Sequence, residues 1–261
     1  MNLEIENVKK TFGDKVAVNV DKYLVHSGEI VGLVGNNGAG KTTLFRIILD
    51  LLLPDTGSVT VNGNLKPCSL CTEDTNFASK QLHEGEYVSY TTSKCEDWKA
   101  FTGAYIDSGF LIDYLTPDEY FAFIGKVNGM SKEETDARLM RFENFMNGEV
   151  VGQNTLIRNL SAGNKQKVGI IGAMLNNPQL LILDEPFNFL DPSSQIAMKN
   201  LLESYNRETG ATILVSSHNL THTFDICTRI TLLEHGVILK DYDKSYADLT
   251  FEIENYFKGN V

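Results

Sequence analysis

Glu29–Thr43 reads EIVGLVGNNGAGKTT, and the order of residue types within it decides the fold. Glu29 to Val34 is a nearly continuous apolar run ending at glycine, the pattern of a strand buried on both faces of a parallel sheet. Gly35, Gly40, Lys41 and Thr42 then fit the spacing GxxxxGK[ST]. In such a loop the glycines let consecutive backbone N–H groups face inward around a phosphate, and the positive end of the following helix adds to the attraction. From Lys41 to Leu53 apolar residues recur at helical spacing, until Pro54. Strand, glycine loop and helix therefore follow in order, and Gly35, Asn36, Asn37, Gly38, Ala39, Gly40, Lys41, Thr42 and Thr43 form a candidate phosphate cradle. Within it Lys41 suits the β- and γ-phosphates of a triphosphate, and Thr42 offers a hydroxyl to a Mg²⁺ ion bridging the same two groups.

Upstream, Leu3 to Val8 and Val16 to Val20 alternate apolar and polar residues, which predicts a small antiparallel β-layer. Downstream, GSVTVNG at 57–63 predicts a short strand and turn. Residues 64 to about 100 are polar and aperiodic, and are expected to form an inserted surface loop. Between Thr116 and Leu175 the pattern turns helical: TPDEYFAFIGKVNG opens with Thr, Pro and acids, Ser131 begins a capping box closed by Glu134, and Ser161 starts a third helix. Alternation of strand and helix resumes with LLILD, a helix from Pro192 to Thr209, ATILVSS, a short helix and RITLLE. The predicted architecture is α/β: a mainly parallel sheet with helices on both faces, an N-terminal antiparallel β-layer and an inserted α-helical subdomain, all in one domain.

Composition narrows the function classes. The 261 residues carry a formal net charge of −11, with Lys and Arg thinly spread, so no basic surface for wrapping nucleic acid is expected. No apolar run approaches the ~20 residues of a bilayer span, and MNLEIENVKK lacks the apolar core of a secretion signal, so the chain is expected to stay in the cytoplasm. Four cysteines make no disulfide framework in a chain of this length, and they read as reduced thiols. Cys68, Cys71, His83 and Cys95 offer potential zinc ligands, but their spacing matches no closed zinc motif. Cys227 is expected in the core.

Two further stretches carry chemistry. The strand Leu180 to Leu183 delivers Asp184 and Glu185 to the carboxyl edge of the sheet, where ligands bind in open α/β folds. Asp184 suits a metal role, directly or through water, and Glu185 is placed to polarise an attacking water as catalytic base. LSAGN, Leu160 to Asn164, precedes a helix with Ser161 as N-cap and Gly163 exposing first-turn N–H groups, a second anion site.

With these motifs in this order, the chain resembles an ATP-binding-cassette (ABC) nucleotide-binding domain over essentially its whole length. The resemblance implies a P-loop NTPase (RecA-like) core of residues 1–106 and 177–261, a helical subdomain of about 107–176, and ATP and Mg²⁺ as cofactors. It further implies that Ser161 and Gly163 contact the γ-phosphate of ATP held by an opposite subunit. Asp191, in NFLD, matches an aspartate along the dimer interface, although before Pro192 it also reads as an N-cap. His218, in SSH, matches a switch histidine that reaches the γ-phosphate and joins the catalytic set, and Phe12 sits where the family stacks a ring on adenine, though a hairpin aromatic also packs as core. Asp107, in GAYIDSG, stands where the family carries a glutamine, sometimes a glutamate, and its shorter carboxylate is expected to reach Mg²⁺ or its water. The signature departs from the usual LSGGQ at Ala162 and Asn164.

The partners implied are a second copy of the chain and a membrane-spanning permease on another chain, reached at the inner face of the membrane. Hydrolysis would then drive substrate movement. The segment from GAYID through FLIDYLTPDEY resembles drug- and peptide-exporting or bacitracin-resistance-type ATPases, which points to export. Two other readings compete: a non-transport ABC ATPase on ribosomes or DNA, whose usual second cassette or coiled coils are missing here, and a regulatory ATP-binding protein, which Glu185 and His218 oppose.

Overall fold

The computed structural model describes residues 1–63, 88–218 and 220–244. Strands β1 (Asn2–Phe12) and β2 (Lys15–Val25) form a long antiparallel hairpin, with alternate residues such as Leu3 and Ile5 turned to the core. The apolar run becomes β3 (Ile30–Val34), buried at every position, and α1 (Lys41–Ile48) follows the glycine loop. β4 (Thr56–Gly63) returns antiparallel to β1, and β5 (Val88–Thr91) pairs with β4, completing a sheet of order β2-β1-β4-β5.

Next come β6 (Thr102–Tyr105) and the helices α2 (Pro117–Val127), α3 (Lys132–Leu139), α4 (Glu143–Met146) and α5 (Ala162–Met174). Capping boxes start α2 at Thr116 with Glu119 and α3 at Ser131 with Glu134, so the helical subdomain is punctuated by local sequence. β7 (Leu180–Leu183), α6 (Pro192–Thr209), β8 (Thr212–Ser217), α7 (Leu220–Ile226), β9 (Arg229–Glu234) and β10 (Val237–Asp243) finish the chain as described. The second sheet has the order β10-β9-β3-β8-β7-β6 and is parallel except for the β9–β10 pair.

Each face of that sheet has its own core, because successive side chains of a strand point to opposite faces. Leu181, Leu183, Ile213 and Val215 pack with Met198 and Leu202 of α6 and with Val168 and Ile171 of α5. Leu180, Ile182, Leu214 and Leu33 pack with Leu44, Phe45 and Ile48 of α1 and with the N-terminal layer. Full burial of each such side chain contributes roughly 1.5–3 kcal/mol, so the sheet is stabilised from both sides.

Two expectations are corrected. Residues 64–87 lie outside the described residues, but beyond them the chain is no irregular surface loop: β5 is followed by a helical turn, Asp97–Phe101, with Trp98 buried and its indole N–H donating to the Thr92 carbonyl at 3.2 Å. One aromatic residue anchors this turn, and a single apolar side chain leaves no period to read. Helix α1 also stops at Ile48, before Leu53: Asp50 takes φ 56, and the Leu51 and Leu52 N–H groups both turn back to the Arg46 carbonyl.

Candidate active site

Parallel register brings four strand ends to one edge. Val34 lies opposite Ser217, Leu183 opposite Val215 and Tyr105 opposite Leu183, so the glycine loop, Asp184 and Glu185, His218 and Asp107 all leave the sheet on the same side.

The loop from Gly35 to Gly40 closes around the Lys41 side chain. Lys41 is buried, and its Nζ donates to the carbonyls of Gly35 at 2.7 Å and Asn36 at 3.3 Å. Gly40 has φ +108, and a Cβ there would lie 2.3 Å from the Ala17 carbonyl oxygen, so the hairpin itself demands glycine. Gly40 is also the N-cap of α1 and supplies no capping side chain, and the first turn holds no acid. The first-turn N–H groups are thus left for an anion. Asn37, Gly38, Ala39, Thr42 and Thr43 line the same cleft. Phe12 forms part of its wall and is 51% exposed, which rules out the core alternative for that ring.

The acids meet the loop from the end of β7, which β8 separates from β3. Thr42 Oγ1 donates to Asp184 at 2.5 Å, and the Ser216 hydroxyl donates to the other Asp184 oxygen. Asp184 is buried, and desolvation holds its carboxyl above the usual range despite these two bonds. Glu185 has φ 46, unusual for a non-glycine residue. Its N–H donates to Ser216 Oγ at 2.8 Å, and its carbonyl accepts from Gln166 Nε2 at 3.1 Å. Its carboxylate lies 2.8 Å from His218 Nδ1, 3.3 Å from the His218 N–H and 3.5 Å from Lys41 Nζ. Lys41, Glu185 and His218 therefore form one contact chain beside the cradle.

Ser161 and Gly163 line a different cleft, with Glu149, Asn164, Lys167 and Asp191. Ser161 caps α5 by accepting the Asn164 N–H at 3.1 Å, leaving its own O–H to donate. A Cβ on Gly163 would lie 2.7 Å from the Phe189 carbonyl oxygen, so this glycine too is demanded within the chain. Asp191 caps α6: Oδ1 accepts the Ser193 and Ser194 N–H groups at 2.9 and 3.0 Å, and Oδ2 the Ser194 hydroxyl at 2.6 Å. The bonds from Ser193 and Ser194 hold its carboxyl well below the ordinary carboxylate range. Asp107 lines a third cleft with Asp184, Glu185 and Gln166, but its oxygens are engaged by the Gly109 N–H at 2.7 Å and by Arg46 at 3.4 Å.

This arrangement has known counterparts. The family model described as "ABC transporter" matches residues 18–188. The chain belongs to the ABC transporter family. The ABC transporter ATP-binding protein YdbJ of Bacillus subtilis (strain 168) is 31% identical over 250 residues, covering 96% of this chain and 72% of the relative. The bacitracin transport ATP-binding protein BcrA of Enterococcus faecalis is 31% identical, covering 93% and 70%. The methionine import ATP-binding protein MetN of Clostridioides difficile (strain 630) is 32% identical, covering 91% and 67%. Among solved structures, the dimeric bacterial ABC transporter cassette MJ0796 superposes with a TM-score of 0.71 at 25% identity, covering 93% of this chain and 98% of that one. The protein is thus an ATP-binding ATPase subunit with the P-loop fold.

The ABC site tolerates a hard cation. Thr42 and Asp184 converge with oxygen atoms, and the buried Asp184 carboxyl is bonded by the hydroxyls of Thr42 and Ser216. Mg²⁺ held there with the phosphates would neutralise charge that develops during phosphoryl transfer. Among the described residues no three His, Cys, Asp or Glu side chains gather as a closed metal site. Of the potential zinc ligands, Cys68, Cys71 and His83 lie outside the described residues and Cys95 is a half-buried free thiol; Cys227, expected in the core, is buried. Sequence reasoning missed Ser216 and Gln166. Their signal was weak, since a serine in SSH and a glutamine beyond LSAGN are ordinary residues until the strands are placed side by side.

Proposed function

We propose that two copies of this chain close over two ATP molecules, each cradled by the Gly35–Thr43 loop of one copy and lidded by Ser161 and Gly163 of the other. The observation that carries this reading is the division of the anion-binding elements between two clefts of one chain: Lys41, Thr42 and Glu185 line one, while Ser161, Gly163 and Asp191 line another. A single copy offers cradle and lid in separate clefts, so a second copy completes the site. In the closed pair Lys41 holds the β- and γ-phosphates, Thr42 and Asp184 hold Mg²⁺, with Asp107 reaching it or its water, and Phe12 lies against adenine. Glu185 polarises water, His218 reaches the γ-phosphate, and Asp191 lies along the interface. Loss of the γ-phosphate removes the contacts that favour closure, and the pair reopens.

The work of closing is delivered to a membrane-spanning permease on another chain, with this subunit at the cytoplasmic face. Support comes from the helical subdomain, where Phe110, Tyr114, Phe123, Val127 and Met140 stand exposed. Among the described residues no helix is long and apolar enough to cross a membrane. Export rests on the resemblance of residues 103–120 alone, because relatives named for methionine import and for bacitracin transport match at similar identity.

The test mixes two inactive variants. Lys41→Ala destroys the cradle and Ser161→Arg blocks the lid, so each alone should hydrolyse little ATP. A mixture forms pairs in which one site has an intact cradle and an intact lid, and turnover should reappear. A mixture as inactive as its components refutes shared sites. Copurification with a multi-span membrane protein tests the permease.

A further inference from the structure

The Glu185 peptide is held from both ends by side chains of two other elements. We propose that Ser216 and Gln166 are positioning residues for hydrolysis, fixing the backbone of Glu185 so that its carboxylate faces the cradle; this rests on the reading of Glu185 as the base.

Three observations carry the proposal. Glu185 sits at φ 46, a region that is strained for a non-glycine residue and persists only where the surroundings enforce it. The enforcement is visible: the N–H is taken by Ser216 Oγ at 2.8 Å and the carbonyl by Gln166 Nε2 at 3.1 Å. Both partners are rigid, because Ser216 is fully buried within β8 and Gln166 is 5% exposed on α5. Ser216 also donates to Asp184, so a single hydroxyl sets the metal-side carboxylate and the water-side peptide relative to each other. Were Glu185 to relax to an ordinary φ, its side chain would swing away from Lys41 and His218, which now lie 3.5 and 2.8 Å from it. Neither Ser216 nor Gln166 lines the cradle cleft, so the effect of Gln166 on nucleotide would pass through Glu185, and that of Ser216 through Glu185 and Asp184.

The experiment compares Ser216→Ala and Gln166→Met in the full chain, by phosphate release and by binding of a fluorescent ATP analogue. Each is expected to lower kcat about tenfold, with KM and analogue Kd within about twofold of wild type. In a Glu185→Gln background Gln166→Met should change residual turnover by less than about twofold, because the group it orients is already gone, while Ser216→Ala should keep only the smaller part of its loss that passes through Asp184. A general loosening of the fold would act equally in both backgrounds, and equal losses overturn the proposal. So do a matching rise in KM and Kd, undiminished kcat in either variant, or failure of both variants to fold, which would make these contacts framework alone. A wild-type chain without ATPase activity sinks the functional reading itself; an active wild type with an equally active Ser216→Ala sinks only this inference.

Discussion

Glu185→Gln separates two effects that the wild-type carboxylate combines. In the proposed role of base Glu185 would polarise the attacking water, and its loss should lower turnover by about 10² to 10⁴. As an anion it also lies 3.5 Å from Lys41 Nζ, the group that has to meet the triphosphate. At an effective dielectric of ~20, two unit charges at that separation attract by ~4.7 kcal/mol. Desolvation, and the Gly35 and Asn36 carbonyls that hold Lys41 in either variant, reduce the net difference to about 1–2 kcal/mol. Glutamine keeps the shape and removes the charge, so Lys41 is released to phosphate and the carboxylate no longer repels it. ATP should bind about 5- to 30-fold more tightly while hydrolysis all but stops. Calorimetric titration with ATP and Mg²⁺, beside a phosphate-release assay, measures both. Turnover like that of wild type would refute the assignment of the base, and unchanged or weaker ATP affinity would refute the competition for Lys41.

Asp184→Asn should be a stabilising substitution that abolishes activity. Burial raises the Asp184 carboxyl, and a group so shifted contributes stability below its unfolded pKa that is lost as pH rises through the folded value. At neutral pH the ionised form therefore costs the empty protein, and the asparagine variant should melt about 2–4 °C higher for each ~1 kcal/mol relieved. The gap should narrow as the buffer is acidified and Asp184 regains its proton; a variant that melts lower, or a gap indifferent to pH, would contradict this. Gly163→Ala should move the other way: helix propensity alone favours alanine by ~1 kcal/mol, but its Cβ would meet the Phe189 carbonyl at 2.7 Å. A melting point several degrees lower is expected from overpacking, and a rise would show that the loop before α6 yields freely.

What the sequence made legible was whatever repeats or punctuates locally. The apolar run before Gly35 specifies a strand buried on two faces, and β3 is buried at all five positions. Ser131 with Glu134 specifies a helix start within four residues, and the capping box forms as written. β6 and β5, four residues each, were not readable, because TGAY and VSYT gain their strand character from the neighbours Leu180–Leu183 and Thr56–Gly63.

The site divides in the same way. Lys41 and Thr42 were legible because their chemistry depends on the loop they belong to, and Asp184 and Glu185 because one strand ends at both. The contacts among them depend on register between strands distant in sequence: only with Leu183 opposite Val215 does Ser216 come beside Asp184 and Glu185. Shifting β8 by one residue would turn that hydroxyl to the other face of the sheet and leave the Glu185 N–H without its partner. The register is set by Ile213 and Val215 on one face and Leu214 on the other, residues with no chemistry of their own. Packing in the two cores thus determines whether Glu185, the proposed base, is aimed, and substitutions that alter the seating of β8 should impair hydrolysis before they impair nucleotide binding, which is proposed for the loop after β3.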